Sequence, residues 1–369
     1  MRRDLVRPAV AAVVAFLLAV TGLAYAAEGR LAAQTEAIVV LATTLETPVL
    51  EELAAFATRE PTVTEVRLAG APTTVARPAG DGPWPALLVV NGATPKGRRE
   101  PALQRLARGL ARAGYLVAVP DLPGLTEGAL SERTLETAVG SARDLADRPD
   151  TRNGKVGLLG VSVGTSLALL AAADPSLAGR VTVVTGSAPF ADLTNVLRLA
   201  TTGYHRRGKL LIRYETEPFV AVAAARSLAA QAPALELPEL ADDAQDPLAP
   251  LRSLPGDDPA LELLANRDPR RFDELYAALP AEVRASLERL SPLTYAARLT
   301  FPIELASAPR DKYFPIAESE ALAGAAPDAR VTTTSALSHA VPEPSLADLP
   351  DLLRFDGWVV RSLRAARSD

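Results

Sequence analysis

Gly160-Val161-Ser162-Val163-Gly164 sets one hydroxyl between two glycines in the middle of an apolar run, KVGLLGVSVGTSLALLAAADP, that begins at Lys155. A plain buried strand or helix has no need of that arrangement. A sharp turn that presents one side chain to a pocket does. In a G-x-S-x-G elbow the serine sits on a strained strand-to-helix turn with its hydroxyl exposed above the sheet. Glycines are needed there because side chains collide with the closely approaching helix and strand. KVGLLGV reads as the strand and VGTSLALLAAA as the helix, so the context accompanies the pattern. A structural serine in a Gly-flanked turn is the plainer alternative.

A serine hydroxyl is a weak nucleophile until a base takes its proton. The chain has two histidines, His205 and His339, and no cysteine. The base is therefore one of these two, while disulfides, thiolate metal sites and cysteine nucleophiles are excluded. His339 lies in TTTSALSHAVPEP, just after the last predicted strand, where a loop swings it over the C-terminal edge of a sheet. His205 lies in GYHRRGKLL beside Arg206, Arg207 and Lys209 and reads as part of a solvated basic face.

An imidazole in turn needs an acid to fix its tautomer and stabilise the imidazolium. Asp311, in PRDKYFP, is the first carboxylate past the predicted strand PIELASA. A surface aspartate paired with Arg310 or Lys312 is the bland alternative. Asp192, after the strand ending near Gly186, is a rival acid, and Glu318 and Glu320 read as the outward face of the following helix. The resulting order is nucleophile, acid, base: Ser162, Asp311, His339.

Those residues need a scaffold. TVTEVRLAG and APTTVARPAG alternate like a hairpin of half-buried strands. ALLVVNG, YLVAVPDLPG, KVGLLGV and RVTVVTG are short apolar strands. Between them lie helices, one with Pro101 near its start and Gly114 at its end, another with Ser131 as N-cap. Continuously apolar strands joined by amphipathic helices require a parallel sheet covered on both faces, an α/β fold. The rhythm breaks over residues 189–299, a helix-like stretch without convincing strands that holds a Pro/Asp-rich tract reading as loop or lid. It resumes with FPIELASA, a helix, ARVTTTSA and a closing helix. The core is thus 61–188 with 300–369, split by a helical insertion, and residues 31–60 read as a helical connector interrupted at Pro48.

The N-terminus differs in kind. MRRDLVR carries three arginines against one aspartate, and Pro8 to Ala27 runs without a charge. About twenty helical residues rise roughly 30 Å, enough to cross a bilayer's hydrocarbon core. The arginines before the run predict an N-terminus in the cytoplasm and the remaining chain outside. A cleaved signal peptide is the alternative, since Ala24–Ala26 has the small-x-small form of a cleavage site. With 39 Lys and Arg against 44 Asp and Glu, no cationic excess exists to neutralise phosphates, which argues against nucleic acid as a partner. No cofactor or metal is implied.

Strand, G-x-S-x-G and helix, followed by Asp and His after the last two strands, resemble the α/β-hydrolase superfamily over about Val63 to Ala366. VPDLPG and SPLTYAARLTFPI also look like segments of that family, and the insertion stands where its cap or lid does. The resemblance implies acyl transfer, in which Ser162 attacks a carbonyl and water hydrolyses the acyl-enzyme. It also implies an oxyanion hole from the amides of Val163 and of Ala93, with Thr94 second. The chain departs from the family's common His-Gly with Asn91-Gly92, and from a glycine that often starts the acid turn with APRD. The pattern is similar to dienelactone-hydrolase-like and serine-aminopeptidase-like bacterial hydrolases, although a true dienelactone hydrolase uses cysteine at the elbow. Prolyl-peptidase relatives usually carry a further glycine where Thr165 stands. A carboxylic-ester hydrolase acting on a small-molecule ester or acyl substrate is the expected function. An acyltransferase, a peptidase or amidase with the same triad, and a non-catalytic binding protein on this fold are the competitors.

Overall fold

A strand that is apolar at every position leaves no face for water, so it folds only where helices cover both sides. The computed structural model of the chain, which describes residues 31–44, 52, 56–254, 256–343 and 348–368, is built on that rule. Helix α1 (Leu31–Thr44) precedes the strands β1 (Thr62–Leu68) and β2 (Ala71–Arg77). Then β3 (Trp84–Val90), α2 (Pro101–Arg112), β4 (Leu116–Pro120), α3 (Glu132–Ala146), β5 (Thr151–Val161), α4 (Val163–Ala172) and β6 (Val181–Ser187) alternate. After β6 come α5 (Leu193–Thr202), β7 (Tyr204–Arg207), β8 (Leu210–Arg213), α6 (Phe219–Gln231), α7 (Pro259–Ala265), α8 (Phe272–Ala278) and α9 (Ala281–Arg289). The chain returns to the sheet with β9 (Ile303–Ser307), α10 (Ile316–Ala325) and β10 (Ala329–Thr333). It ends in a two-residue ladder, β11 (Leu337–Ser338) with β12 (Val341–Pro342), and the helix α11 (Leu349–Ala366).

The main sheet runs β1-β2-β4-β3-β5-β6-β9-β10. The pairs β1–β2 and β2–β4 are antiparallel, and the remaining pairings are parallel. Leu87, Leu88 and Val89 in β3 are consecutive and all buried, as a strand covered on both faces must be. One face packs against α3, α4 and the helices of the 189–299 segment. The other packs against α1, α2 and α11. Local signals set the helix ends: Pro101 occupies the first turn of α2, and Ser131 caps α3 in a reciprocal box with Thr134.

Helix α1 is tied to the core by buried polar groups. Gln34 donates to Asp356 of α11 at 3.0 Å. The Tyr115 hydroxyl donates to Glu36 at 2.6 Å, and Arg367 pairs with the same carboxylate at 2.8 Å. Burial raises the Glu36 carboxyl above its ordinary range, against the opposing pull of Tyr115 and Arg367.

Some expectations need correction, and others lie outside the described residues. Residues 189–299 contain a hairpin, β7–β8, where no strand is expected from the pattern. Its strands are short and rich in arginine, and Leu210 and Leu211 stay exposed, so no apolar alternation marks it. His205 is not on a solvated face: it is 3% exposed, edge-on to Tyr214 at 5.7 Å. The predicted apolar helix over 8–27, its cleavage-like Ala24–Ala26 and the break at Pro48 lie outside the described residues. Among the described residues no helix is long and apolar enough to cross a membrane.

Candidate active site

Ser162 joins β5 to α4 at φ 55° and ψ −127°, a conformation that costs an L-residue of order 1–3 kcal/mol. The surroundings over-determine it. The Ser162 amide donates to the Ser187 carbonyl at 2.9 Å, and the Thr165 hydroxyl donates to the same oxygen at 2.9 Å. A Cβ on Gly160 would lie 2.2 Å from the Thr165 Cα, and one on Gly164 would lie 2.2 Å from the Val90 carbonyl oxygen. Both glycines are therefore required by contact with backbone rather than by flexible neighbours.

The His339 Nε2 stands 2.8 Å from the Ser162 Oγ. Its Nδ1 faces Asp311, at 2.9 Å from Oδ1 and 2.8 Å from Oδ2. His339 and Ala340 form the two-residue turn between β11 and β12, and His339 takes the positive φ of 56° that such turns demand. Asp311 is 3% exposed. Its Oδ1 also accepts the amides of Tyr313 at 2.7 Å and Phe314 at 3.0 Å. The Tyr214 hydroxyl donates to the Asp311 carbonyl, and the Glu217 amide to the Lys312 carbonyl at 2.7 Å. The segment after β8 thus clamps the acid turn from the 189–299 side.

The rival acids have other roles. Asp192 caps α5 by accepting from the Thr194 amide at 2.8 Å. Glu320 pairs with Arg207. Glu318 is not outward: it is 4% exposed and accepts from the amides of Ala191 and Asp192. Burial pushes its carboxyl up to about 7. His205 is held below the ordinary histidine range by burial and then by the Arg207 charge.

Val163 opens α4, where an amide has no partner within the helix. The β3–α2 loop presses against the elbow, since a Cβ on Gly92 would lie 3.0 Å from the Val161 oxygen and 3.4 Å from the Ser162 Cβ. Ala93 follows it and, with Val163, Ser162 and His339, lines one cavity of about 660 Å³. Tyr313 is the contact sequence reasoning missed. Its ring stacks on the His339 imidazole with centroids 4.1 Å apart and planes 29° from parallel. Its position two residues past Asp311 in PRDKYFP was the available signal. Tyr214 gives none, because its partner is a backbone atom nearly a hundred residues away.

Comparison with known proteins agrees with this architecture. The family model of the X-Pro dipeptidyl-peptidase (S15 family) matches residues 67–270, more than half of the chain. The chain belongs to that family, a branch of the α/β-hydrolases and a hydrolase family of the serine-peptidase and esterase type. The match contains Ser162 and stops before Asp311 and His339. No curated protein matches the chain in sequence.

Among solved structures, the Pyrococcus horikoshii acylaminoacyl peptidase is similar at 12% identity and TM-score 0.48, over 81% of this chain and 40% of that one. The chain therefore spans about two fifths of that peptidase. Est1E from Butyrivibrio proteoclasticus is similar at 12% identity and TM-score 0.48, over 82% of this chain and 99% of that one. A Mycobacterium tuberculosis puromycin-hydrolyzing peptidase gives 18% identity and TM-score 0.47, over 84% and 38%.

Proposed function

We propose that the protein is a serine hydrolase that cleaves a carboxylic ester through an acyl-enzyme, with Ser162 as nucleophile, His339 as base and Asp311 as acid. The observation that carries this reading is the unbroken series from Ser162 Oγ through the two His339 nitrogens to Asp311. In the first step Ser162 Oγ bonds to the substrate carbonyl carbon while His339 Nε2 takes the hydroxyl proton. The carbonyl oxygen becomes an oxyanion, which the amides of Val163 and Ala93 receive. Collapse breaks the ester C–O bond, and the leaving alcohol takes the proton from His339. Water then repeats the cycle on the acyl-enzyme and releases the acid. Asp311 stays ionised throughout and balances the imidazolium.

The predominantly apolar cavity supports an acyl substrate over a charged one. The 189–299 segment acts as the lid, since Phe219 and Ala223 line the cavity and Tyr214 holds the acid turn. Residues 8–27 either anchor the chain to a membrane, with the hydrolase outside the cytoplasm, or are cleaved as a signal peptide and leave it secreted. The uncharged run behind three arginines supports both readings. A second reading, hydrolysis of a peptide amide, is favoured by the family match alone.

Labelling with a fluorophosphonate probe tests the mechanism. Wild type labels, Ser162→Ala does not, and His339→Ala labels far more slowly. A folded wild type that fails to label ends the serine-hydrolase reading. Side-by-side rates on p-nitrophenyl esters and an X-Pro p-nitroanilide then decide between ester and amide.

A further inference from the structure

The cavity at Ser162 has a second arm. Besides the lid side, its wall includes Leu106 and Leu110 of α2, Val40 and Leu41 of α1, Trp358 of α11 and Leu159 of β5. These belong to the opposite face of the sheet from the 189–299 segment. The cavity therefore turns around the C-terminal end of β5 and runs back between the sheet and the three helices α1, α2 and α11.

The burial of β5 shows the same void independently. Leu158 points to the α3 and α4 side and is fully buried. Its neighbour Leu159 points the other way and is only half-buried, although β5 lies at the centre of the sheet. Leu106 and Trp358 across from it are also half-buried. Three large apolar side chains on this face thus stay partly open to the cavity they line.

Of the polar side chains lining the cavity on this face, Trp358, Thr185, Ser362 and Thr44 have partners, while the buried Asn91 Oδ1, near the elbow, has none. The Trp358 Nε1 donates to the Glu304 carbonyl at 3.0 Å. The Thr185 hydroxyl bonds to the Glu304 carbonyl at 3.1 Å and to the Ser362 hydroxyl at 2.7 Å. The Thr44 hydroxyl donates to the Val40 carbonyl at 2.7 Å. A polar ligand running past Leu159 would lose its water and find only the Asn91 oxygen near the elbow, which is costly, whereas an alkyl chain loses nothing. The cavity as a whole, at about 660 Å³, lies within the range of small-molecule sites.

We propose that this rear arm holds the alkyl tail of a long-chain acyl substrate whose carbonyl sits at Ser162. The inference rests on the serine-hydrolase reading and names its substrate class. The tail runs away from the lid and beneath the sheet edge, so chain length is measured by α1, α2 and α11 rather than by the 189–299 segment.

The test uses the full chain and p-nitrophenyl esters from acetate to palmitate. In wild type kcat/KM rises roughly fourfold per added methylene until the arm is full. Leu106→Trp lowers the laurate-to-butyrate ratio of kcat/KM at least tenfold and moves the optimum to shorter chains. A second measurement needs no variant. A fluorophosphonate with a sixteen-carbon tail and a terminal diazirine is bound to Ser162, irradiated, and its adducts mapped by mass spectrometry. Adducts on α1, α2 or α11 support the proposal. Adducts on 189–299, or esterase activity with no rise in kcat/KM with chain length, overturn it and leave the serine-hydrolase reading intact. Failure of wild type to react with any probe or ester overturns that reading itself.

Discussion

His339 can accept a proton from Ser162 in only one neutral tautomer, the one protonated at Nδ1. Asp311 selects it by accepting from Nδ1 with both oxygens within 2.9 Å, while the amides of Tyr313 and Phe314 keep Oδ1 in place. Asp311→Asn separates these roles. The amide oxygen still accepts the two backbone donors, but the amide nitrogen then faces Nδ1 and donates to it. The imidazole proton moves to Nε2, which then donates to the Ser162 oxygen and can no longer accept the hydroxyl proton. On the proposed mechanism kcat falls on the order of 10⁴-fold, with KM and Tm close to wild type. Steady-state kinetics with thermal unfolding check this, and a fall below tenfold removes Asp311 from the mechanism.

Such roles are legible in sequence to different degrees. Ser162 announces itself by its glycines, and His339 by the scarcity of histidine. Glu318 and His205 misled because burial of a polar side chain is decided by distant partners: the amides of Ala191 and Asp192 for one, the Tyr214 ring for the other.

At the scale of elements, the elbow fixes the joint between β5 and α4, and its glycines are contacts rather than hinges. Gly160→Ala or Gly164→Ala drives a methyl into backbone that is itself hydrogen-bonded and cannot yield. Each substitution destabilises by about 3 kcal/mol or more. Gly324→Ala in α10 is the control, since nothing lies within 4 Å of its Cβ position. It is neutral or stabilising by up to about 1 kcal/mol, the helix-propensity difference. Urea denaturation distinguishes them, and equal effects at Gly160 and Gly324 would falsify the contact account.

The parallel strands and their helices were readable because apolar runs of that length bury only in one way. The hairpin β7–β8 was not, because its four-residue strands, YHRR and LLIR, carry no apolar alternation. Nor was the rear arm of the cavity. It arises from how α1, α2 and α11 fail to meet over Leu159, and no single segment encodes that spacing.

Across the whole molecule, carboxyl groups divide into two sets with opposite effects on stability. Glu132 is held below its ordinary range by the Ser286 hydroxyl and Arg289, and Asp351 by the Ser335 hydroxyl. Such groups stabilise the fold above their unfolded pKa, and the benefit is lost as pH falls through their folded values. Glu318 and Asp356 act the other way. Burial pushes them up to about 7 and about 6, so the folded state binds protons that the unfolded state has released. Their contribution is most favourable below the unfolded value near 4.5 for Glu318, and it declines as pH rises to about 7.

For Glu318 the full excursion is about 3 kcal/mol. Glu318→Gln keeps an oxygen for the amides of Ala191 and Asp192 and removes the titration. Urea denaturation of both proteins at pH 5 and pH 8 isolates the effect, because all other carboxyl groups cancel in the difference. The variant gains about 2 to 3 kcal/mol on wild type between those pH values. A difference between the two proteins that is the same at both pH values would mean that Glu318 is ionised in the fold throughout, with the Ala191, Asp192 and Asn195 donors outweighing its burial.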